Sequence, residues 1–340
     1  MQKRCGAQTV LFANPVGIMA AASIVGPKEG EGPLGAKFDR VEKDPMLGVE
    51  SWEKAESELV KAAAKAAAEK ARVAMDDFDY IIAGDLMNQS TGSIFGLRET
   101  MRPYLGIFGA CSAIGEGMSI GGMLIDGGFA SKVLCLASSH FCSAEKQFRF
   151  PLEFGSQRPP TSSWTVTGAA GVVLGAAAGP SVMGCTTGKM IDMGVKDAHN
   201  MGAAMAGAAA DTIAAHFEDA SRTADYYDLI ITGDLGYVGQ ELLLELMKKK
   251  GHDIAHKHRD CGIEIFDRNT QDTHSGGSGC ACSGVVFAAF FLERMKSGEI
   301  GRILFVPTGA LMSPVSVQQG ESIPGIAHAV VIENVRTCGQ

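Results

Sequence analysis

Short apolar blocks alternate with longer stretches of helical spacing along the 340-residue chain, and that alternation predicts its elements. Runs at 79–83, 132–137, 171–175, 229–232, 302–306 and 329–333 read as strands, and 50–75, 112–126, 202–220, 239–250 and 284–297 as helices. Strands alternating with helices argue for crossover connections, a layered α/β architecture and largely parallel pairing. Residues 1–16 read as a further strand, since Asn14 and Pro15 interrupt the run that a secretory leader would need. The charge-free stretch 159–188 is rich in Gly, Ser and Thr and contains Pro180, so it reads as two buried strands turning at Gly179-Pro180 rather than a membrane span.

An internal repeat organises these elements. Asp79-Tyr80-Ile81-Ile82-Ala83-Gly84-Asp85-Leu86 recurs as Asp228-Leu229-Ile230-Ile231-Thr232-Gly233-Asp234-Leu235. Gly109-Ala110-Cys111-Ser112 has its counterpart in Cys280-Ala281-Cys282-Ser283. The same order of strand, loop, Ala-Cys-Ser turn, helix and strand in both places argues for a duplication, with halves at 1–178 and 179–340 and an insertion of the polar, His-bearing piece 248–270 in the second copy.

Composition narrows the function. Hydrophobic residues at 46% and charged residues at 20% place the chain among ordinary globular proteins. The 30 basic and 38 acidic residues lie without long blocks and give a net charge of -8, which argues against nucleic acid as a partner. Nine cysteines at irregular spacing read as reduced thiols, not a disulfide framework. The 43 glycines, about one residue in eight against a usual one in fourteen, point to tight turns and close backbone packing.

A cysteine at a strand-to-helix turn in duplicated α/β halves resembles the thiolase and ketoacyl synthase superfamily, where the helix N-terminus favours a thiolate. Thr165-Val166-Thr167-Gly168-Ala169-Ala170-Gly171 resembles that superfamily's glycine-rich strand closing the first half, and Gly325-Ile326-Ala327-His328-Ala329-Val330-Val331-Ile332 its last strand. The resemblance implies two duplicated βαβ-type halves forming a five-layered αβαβα domain, a homodimer, and Cys111 as the pocket cysteine. The partners of a condensing enzyme depart from the pattern. Asp234 stands where many synthases carry a histidine, and a carboxylate raises a neighbouring thiol's pKa. His274 lacks the proline of the thiolase Gly-His-Pro motif, Ser278 stands where the synthase Gly-Asn-Thr motif has asparagine, and no cysteine lies within 318–325.

A closer match covers essentially the whole chain. Gly26-Pro27-Lys28-Glu29-Gly30-Glu31-Gly32-Pro33, Ala83-Gly84-Asp85-Leu86-Met87-Asn88-Gln89, Phe108-Gly109-Ala110-Cys111-Ser112, Ser138-Ser139-His140, Glu145-Lys146-Gln147-Phe148-Arg149 and Gly276-Gly277-Ser278-Gly279-Cys280 resemble the stage V sporulation protein AD family. That resemblance implies a thiolase-fold protein that binds dipicolinic acid, free or as its calcium chelate. It further implies work alongside other stage V sporulation A membrane proteins, at the inner membrane of the developing spore, to load that compound. Acyl-CoA condensation or transfer of the ketoacyl synthase III type through Cys111 is the alternative, and a docking scaffold a third reading. Loss of the synthase histidine and asparagine weighs against the second.

Pyridine-2,6-dicarboxylate is a flat dianion, so its site calls for cations, hydroxyls and backbone N–H groups. Candidate ligand-binding residues are Cys111, Asp85, His140, Lys146, Arg149, Arg158, Asp234, Gly276, Gly277 and Ser278. The glycine run can form an N–H nest, the polar excursion 140–164 a lid, and the helix starts at Cys111 and Cys282 an anion site. No resident cofactor or metal site is expected, and calcium enters only within the chelate. Cys280 and Cys282 read as small buried residues, His252, His256 and His258 as a solvated loop, and His328 as a core or interface residue.

Overall fold

The computed structural model describes residues 3–148 and 157–335. Ten strands run in one continuous sheet path, in the order His258–Asp260, Leu229–Thr232, Arg302–Val306, Ala329–Val335, Gly179–Thr186, Thr9–Val25, Gly168–Gly175, Val133–Ser139, Tyr80–Gly84 and Tyr104–Gly106. The order mirrors itself about the central pair, Thr9–Val25 beside Gly179–Thr186. The two short motifs of the repeat, Tyr80–Gly84 and Leu229–Thr232, sit at equivalent places on either side.

Pairing is mixed. Strands Tyr80–Gly84 and Leu229–Thr232 pair in parallel with both of their neighbours, but the four strands at the centre run antiparallel to theirs along this path, and Thr9–Val25 also pairs in parallel with the short Arg40–Val41 off it. Strands Gly168–Gly175 and Gly179–Thr186 are the two buried strands expected of 159–188, but they do not pair with each other. The chain turns at 176–178, and Thr9–Val25 lies between them, pairing with each. That strand is 17 residues long, beginning and ending later than the expected 1–16, with Val16–Val25 largely buried and Val10–Pro15 partly or fully exposed.

Helices close the faces of the sheet. Trp52–Ala71 begins at Ser51, whose side chain accepts from the Lys54 N–H, and ends at Arg72 in the left-handed region. Its buried alanines and Leu59 pack with Ile24, Ile81, Leu134 and Val173 on one outer face. Met201–Ala220, rich in alanine, packs with Leu243, Ile230 and Leu304 on the other. Between the two halves of the sheet lie Ala113–Asp126 and Cys280–Val286, whose Ile114, Met118, Val285 and Val286 share one core with Val172, Val182, Phe305 and Val330. Helix, sheet, paired inner helices, sheet and helix make the layers, and the inner pair starts where the two repeats place their cysteines.

Two edge strands escape the sequence pattern. Tyr104–Gly106 and His258–Asp260 are three residues each, too short for a period-2 signal. His258–Asp260 pairs with Leu229–Thr232 as Tyr104–Gly106 pairs with Tyr80–Gly84, so part of 248–270 is a counterpart of the first half and not an insertion. His258 is accordingly buried, hydrogen-bonded to Thr232 Oγ1 at 2.8 Å and to Gln240 Nε2 at 3.0 Å, where a solvated loop was expected.

Candidate functional site

Cys111 sits in the tight turn Ala110–Ser112 that leads into helix Ala113–Asp126. Ala110 takes a left-handed conformation at φ +48, a strain that only surrounding structure can hold. Gly309 supplies that support by backbone approach: a Cβ there would lie 2.2 Å from the Gly109 carbonyl oxygen. The turn thereby presents the Cys111 thiol, 4% exposed, to the floor of a cavity of about 300 Å³.

Ser278 forms the rest of the floor. Its strand pairs with Trp164–Thr165, and the following Gly279 turns at φ +104, a conformation that glycine accommodates, into helix Cys280–Val286. Behind the floor lies Asp234, 1% exposed. Its Oδ2 accepts the Ser278 hydroxyl at 2.6 Å and the Gly279 N–H at 3.2 Å, and its Oδ1 accepts the Thr308 hydroxyl at 2.8 Å. Cys111 Sγ lies 3.8 Å from Ser278 Oγ. Burial pushes the thiol well above its ordinary range, and the charge of Asp234 pushes it further. Burial also raises Asp234 itself, against the hydrogen bonds from Ser278, Cys111 and Thr308.

The walls are apolar and the rim is mixed. Leu86, Phe108, Phe148, Met201 and Met312 line the sides. Half-buried Ser163 and His199 stand toward solvent, and the start of the 20-residue helix Met201–Ala220 borders the opening. Its dipole places partial positive charge there.

Of the residues expected at the ligand, Cys111 and Ser278 line this cavity, with Asp234 directly behind. The other described candidates are held elsewhere by partners of their own. Asp85 is buried and accepts from the N–H groups of Met87 and Ser93 and from the Ser93 hydroxyl, bracing the loop that carries Leu86. Nε2–H of His140 donates to the Pro45 carbonyl at 2.9 Å while Nδ1 accepts the Cys142 N–H, a structural role. Lys146 pairs with Glu53 at 2.7 Å on the surface. Arg158 donates to the Asp272 carbonyl and stacks on Trp164 at 4.6 Å. Arg149 lies outside the described residues. Gly276 donates its N–H to Thr273 O and Gly277 sits in the short strand pair, so the glycine run is a structural connection and not an open nest. Donors at the two inner helix starts are likewise engaged: Ser112 N–H meets Gly109 O, and Ala281 N–H meets Ser139 Oγ.

Sequence reading missed Phe108, His199 and the methionines of the wall as cavity residues, since nothing in their local spacing marks them. It also missed Asp260, whose carboxylate accepts from Thr232 Oγ1 at 2.6 Å and from the Leu235 and Gly236 N–H groups, clamping the loop that bears Asp234. Among the described residues no group of three or more His, Cys, Asp or Glu could hold a metal ion.

This arrangement of a mirrored sheet around two inner helices is the thiolase-like fold. Xanthomonas campestris OleA with bound cerulenin superposes with a TM-score of 0.61 at 15% identity, covering 95% of this chain and 100% of that one. The acetamide-bound form of the same protein gives 0.59 at 15%, covering 94% and 100%. The family model for stage V sporulation protein AD matches residues 6–333. Stage V sporulation protein AD of Bacillus subtilis (strain 168) is 44% identical over 332 residues, covering 97% of this chain and 98% of that protein. The chain belongs to the stage V sporulation protein AD family and is a sporulation protein.

Proposed function

We propose that this chain binds dipicolinic acid, as the free acid or the calcium chelate, in the Cys111 cavity. The observation that carries the reading is the polarity of the cavity along its length. Apolar walls suit the faces of a flat aromatic ring, and the partial positive charge of the helix start suits its carboxylates, with Glu145 and His199 also in the lining. A catalytic thiol would need a lowered pKa, whereas burial and Asp234 raise that of Cys111, whose hydrogen bonds run to Ser278 and Asp234 and not to an imidazole. The condensing-enzyme alternative therefore keeps the fold and lacks the activation.

Delivery into the developing spore would require other stage V sporulation A membrane proteins. In this reading they hold the chain peripherally at the spore inner membrane, since no helix among the described residues is long and apolar enough to cross a membrane. Homodimerisation belongs to the same proposal. Tyr104–Gly106 ends the sheet with one side unpaired by any described strand, flanked in sequence by exposed Met101 and by Phe108, which is 50% exposed and also lines the cavity, and Phe95 is exposed as well.

Calorimetric titration with dipicolinate, with and without calcium, beside intact-mass analysis after incubation with acyl-CoA, tests the reading. Saturable binding with no adduct is expected, and Cys111→Leu, which fills the floor, abolishes it. An acyl adduct on Cys111 without dipicolinate affinity overturns the proposal.

A further inference from the structure

The floor of the cavity is polar in one sense only. Ser278 has a single hydroxyl proton, and it is committed to Asp234 Oδ2 at 2.6 Å. Asp234 has no alternative geometry to offer, because Thr308 and Gly279 donate to the same carboxylate and Asp234 is itself 1% exposed. Ser278 therefore turns lone pairs, not a proton, toward Cys111 and the cavity. A carboxylate placed against this floor would meet an acceptor with an anion behind it. The periphery of an aromatic ring carries partial positive charge and meets the same acceptor favourably.

Depth fixes the other end. Cys111 and Ser278 are 4% and 1% exposed, whereas Phe108 at the opening is 50% exposed. The helix Met201–Ala220 starts at the opening and brings partial positive charge there, Glu145 and His199 line the cavity as well, and the Asp234 carboxylate lies inward behind Ser278.

We infer that Asp234, acting through Ser278, is an orientation determinant: it seats a pyridine-2,6-dicarboxylate with the C4–H edge against Ser278 and Cys111 and the ring nitrogen with both carboxylates at the rim. The inference rests on the dipicolinate reading. It applies to the free dianion; the calcium chelate also leaves C4 uncovered, but its outward end carries the metal and is not anionic. It also defines Asp234 as a positioning residue that makes the cavity discriminate at one ring position.

Equilibrium titration of the full chain with dipicolinate and its 4-amino, 4-methyl and 4-carboxy derivatives tests this. An amino group at C4 meets the Ser278 lone pair as a donor, so the 4-amino compound binds about tenfold more tightly than the similarly sized 4-methyl compound. The 4-carboxy compound binds at least about tenfold more weakly than the parent, because it places a carboxylate over Asp234. In Ser278→Ala the 4-amino and 4-methyl affinities converge, and any effect of the amino group on ring basicity, common to both proteins, does not. Equal 4-amino and 4-methyl affinities in the unaltered chain, or a 4-carboxy compound that binds as tightly as the parent, overturn the inference while leaving dipicolinate binding intact. Failure of every compound in the series to bind removes the binding reading itself, and this inference with it.

Discussion

Ser278 and Asp234, 44 residues apart in sequence, share a buried hydrogen bond of 2.6 Å at the floor of the cavity. The Asp234 carboxylate holds the Ser278 hydroxyl proton, and its charge raises the pKa of the nearby Cys111 thiol.

A thiol kept protonated alkylates slowly. Mass mapping after limited iodoacetamide treatment at neutral pH is expected to find half-exposed Cys142 labelled before Cys111. Asp234→Asn, which removes the nearby charge, accelerates labelling at Cys111. Labelling of Cys111 ahead of Cys142 in the unaltered chain would show an activated thiol.

Stability depends on pH through buried acids. Burial, reinforced by Asp85, pushes Glu56 up to about 8, and it is bonded to the Ser138 and Ser143 hydroxyls. Burial takes Glu29 and Asp260 to about 7. The folded chain retains protons that the unfolded chain releases near its ordinary acid range, so stability falls as pH rises toward 8. Buried His216, His258 and His328, lowered to about 4, act oppositely, but only below their unfolded value of 6.5. Between pH 6.5 and 8 the acids act alone, and denaturation midpoints are expected to decline across that window. Glu56→Gln flattens the decline, and an unchanged slope in that variant would contradict the assignment.

The Cys111 turn depends on a backbone approach at Gly309. Gly309→Ala forces a Cβ to 2.2 Å from the Gly109 oxygen and is expected to cost about 1–3 kcal/mol in urea denaturation. It also weakens dipicolinate binding, because the floor moves with the turn. Wild-type stability and affinity in this variant would show that the turn is not braced there.

The exposed face beside Tyr104–Gly106 predicts self-association. Sedimentation velocity is expected to give a dimer, with Phe95→Asp combined with Met101→Asp giving a monomer. A monomeric unaltered chain at micromolar concentration would remove the dimer.

Much of this architecture is legible in the sequence. The recurrence of Gly84-Asp85-Leu86 as Gly233-Asp234-Leu235 marks equivalent strand ends, and Cys111 stands where its helix begins. Order along the chain does not give partners across it. Lys146 and Arg158 read as cations for an anionic ligand, yet Glu53 and Asp272, 93 and 114 residues away, hold them. The alternation of strands and helices suggested largely parallel pairing, but a buried strand has the same composition in either direction, and Thr9–Val25 pairs antiparallel with Gly168–Gly175. Phe108, His199 and Met201 come together only when distant segments close over one opening, which no local spacing records.

A crystal structure of the chain grown with saturating dipicolinate tests the central claim most directly. The account predicts a flat ligand between the apolar walls, with C4 toward Ser278 and carboxylates toward His199 and the start of helix Met201–Ala220. Clear ligand density elsewhere on the chain, with the Cys111 cavity holding solvent, would contradict it.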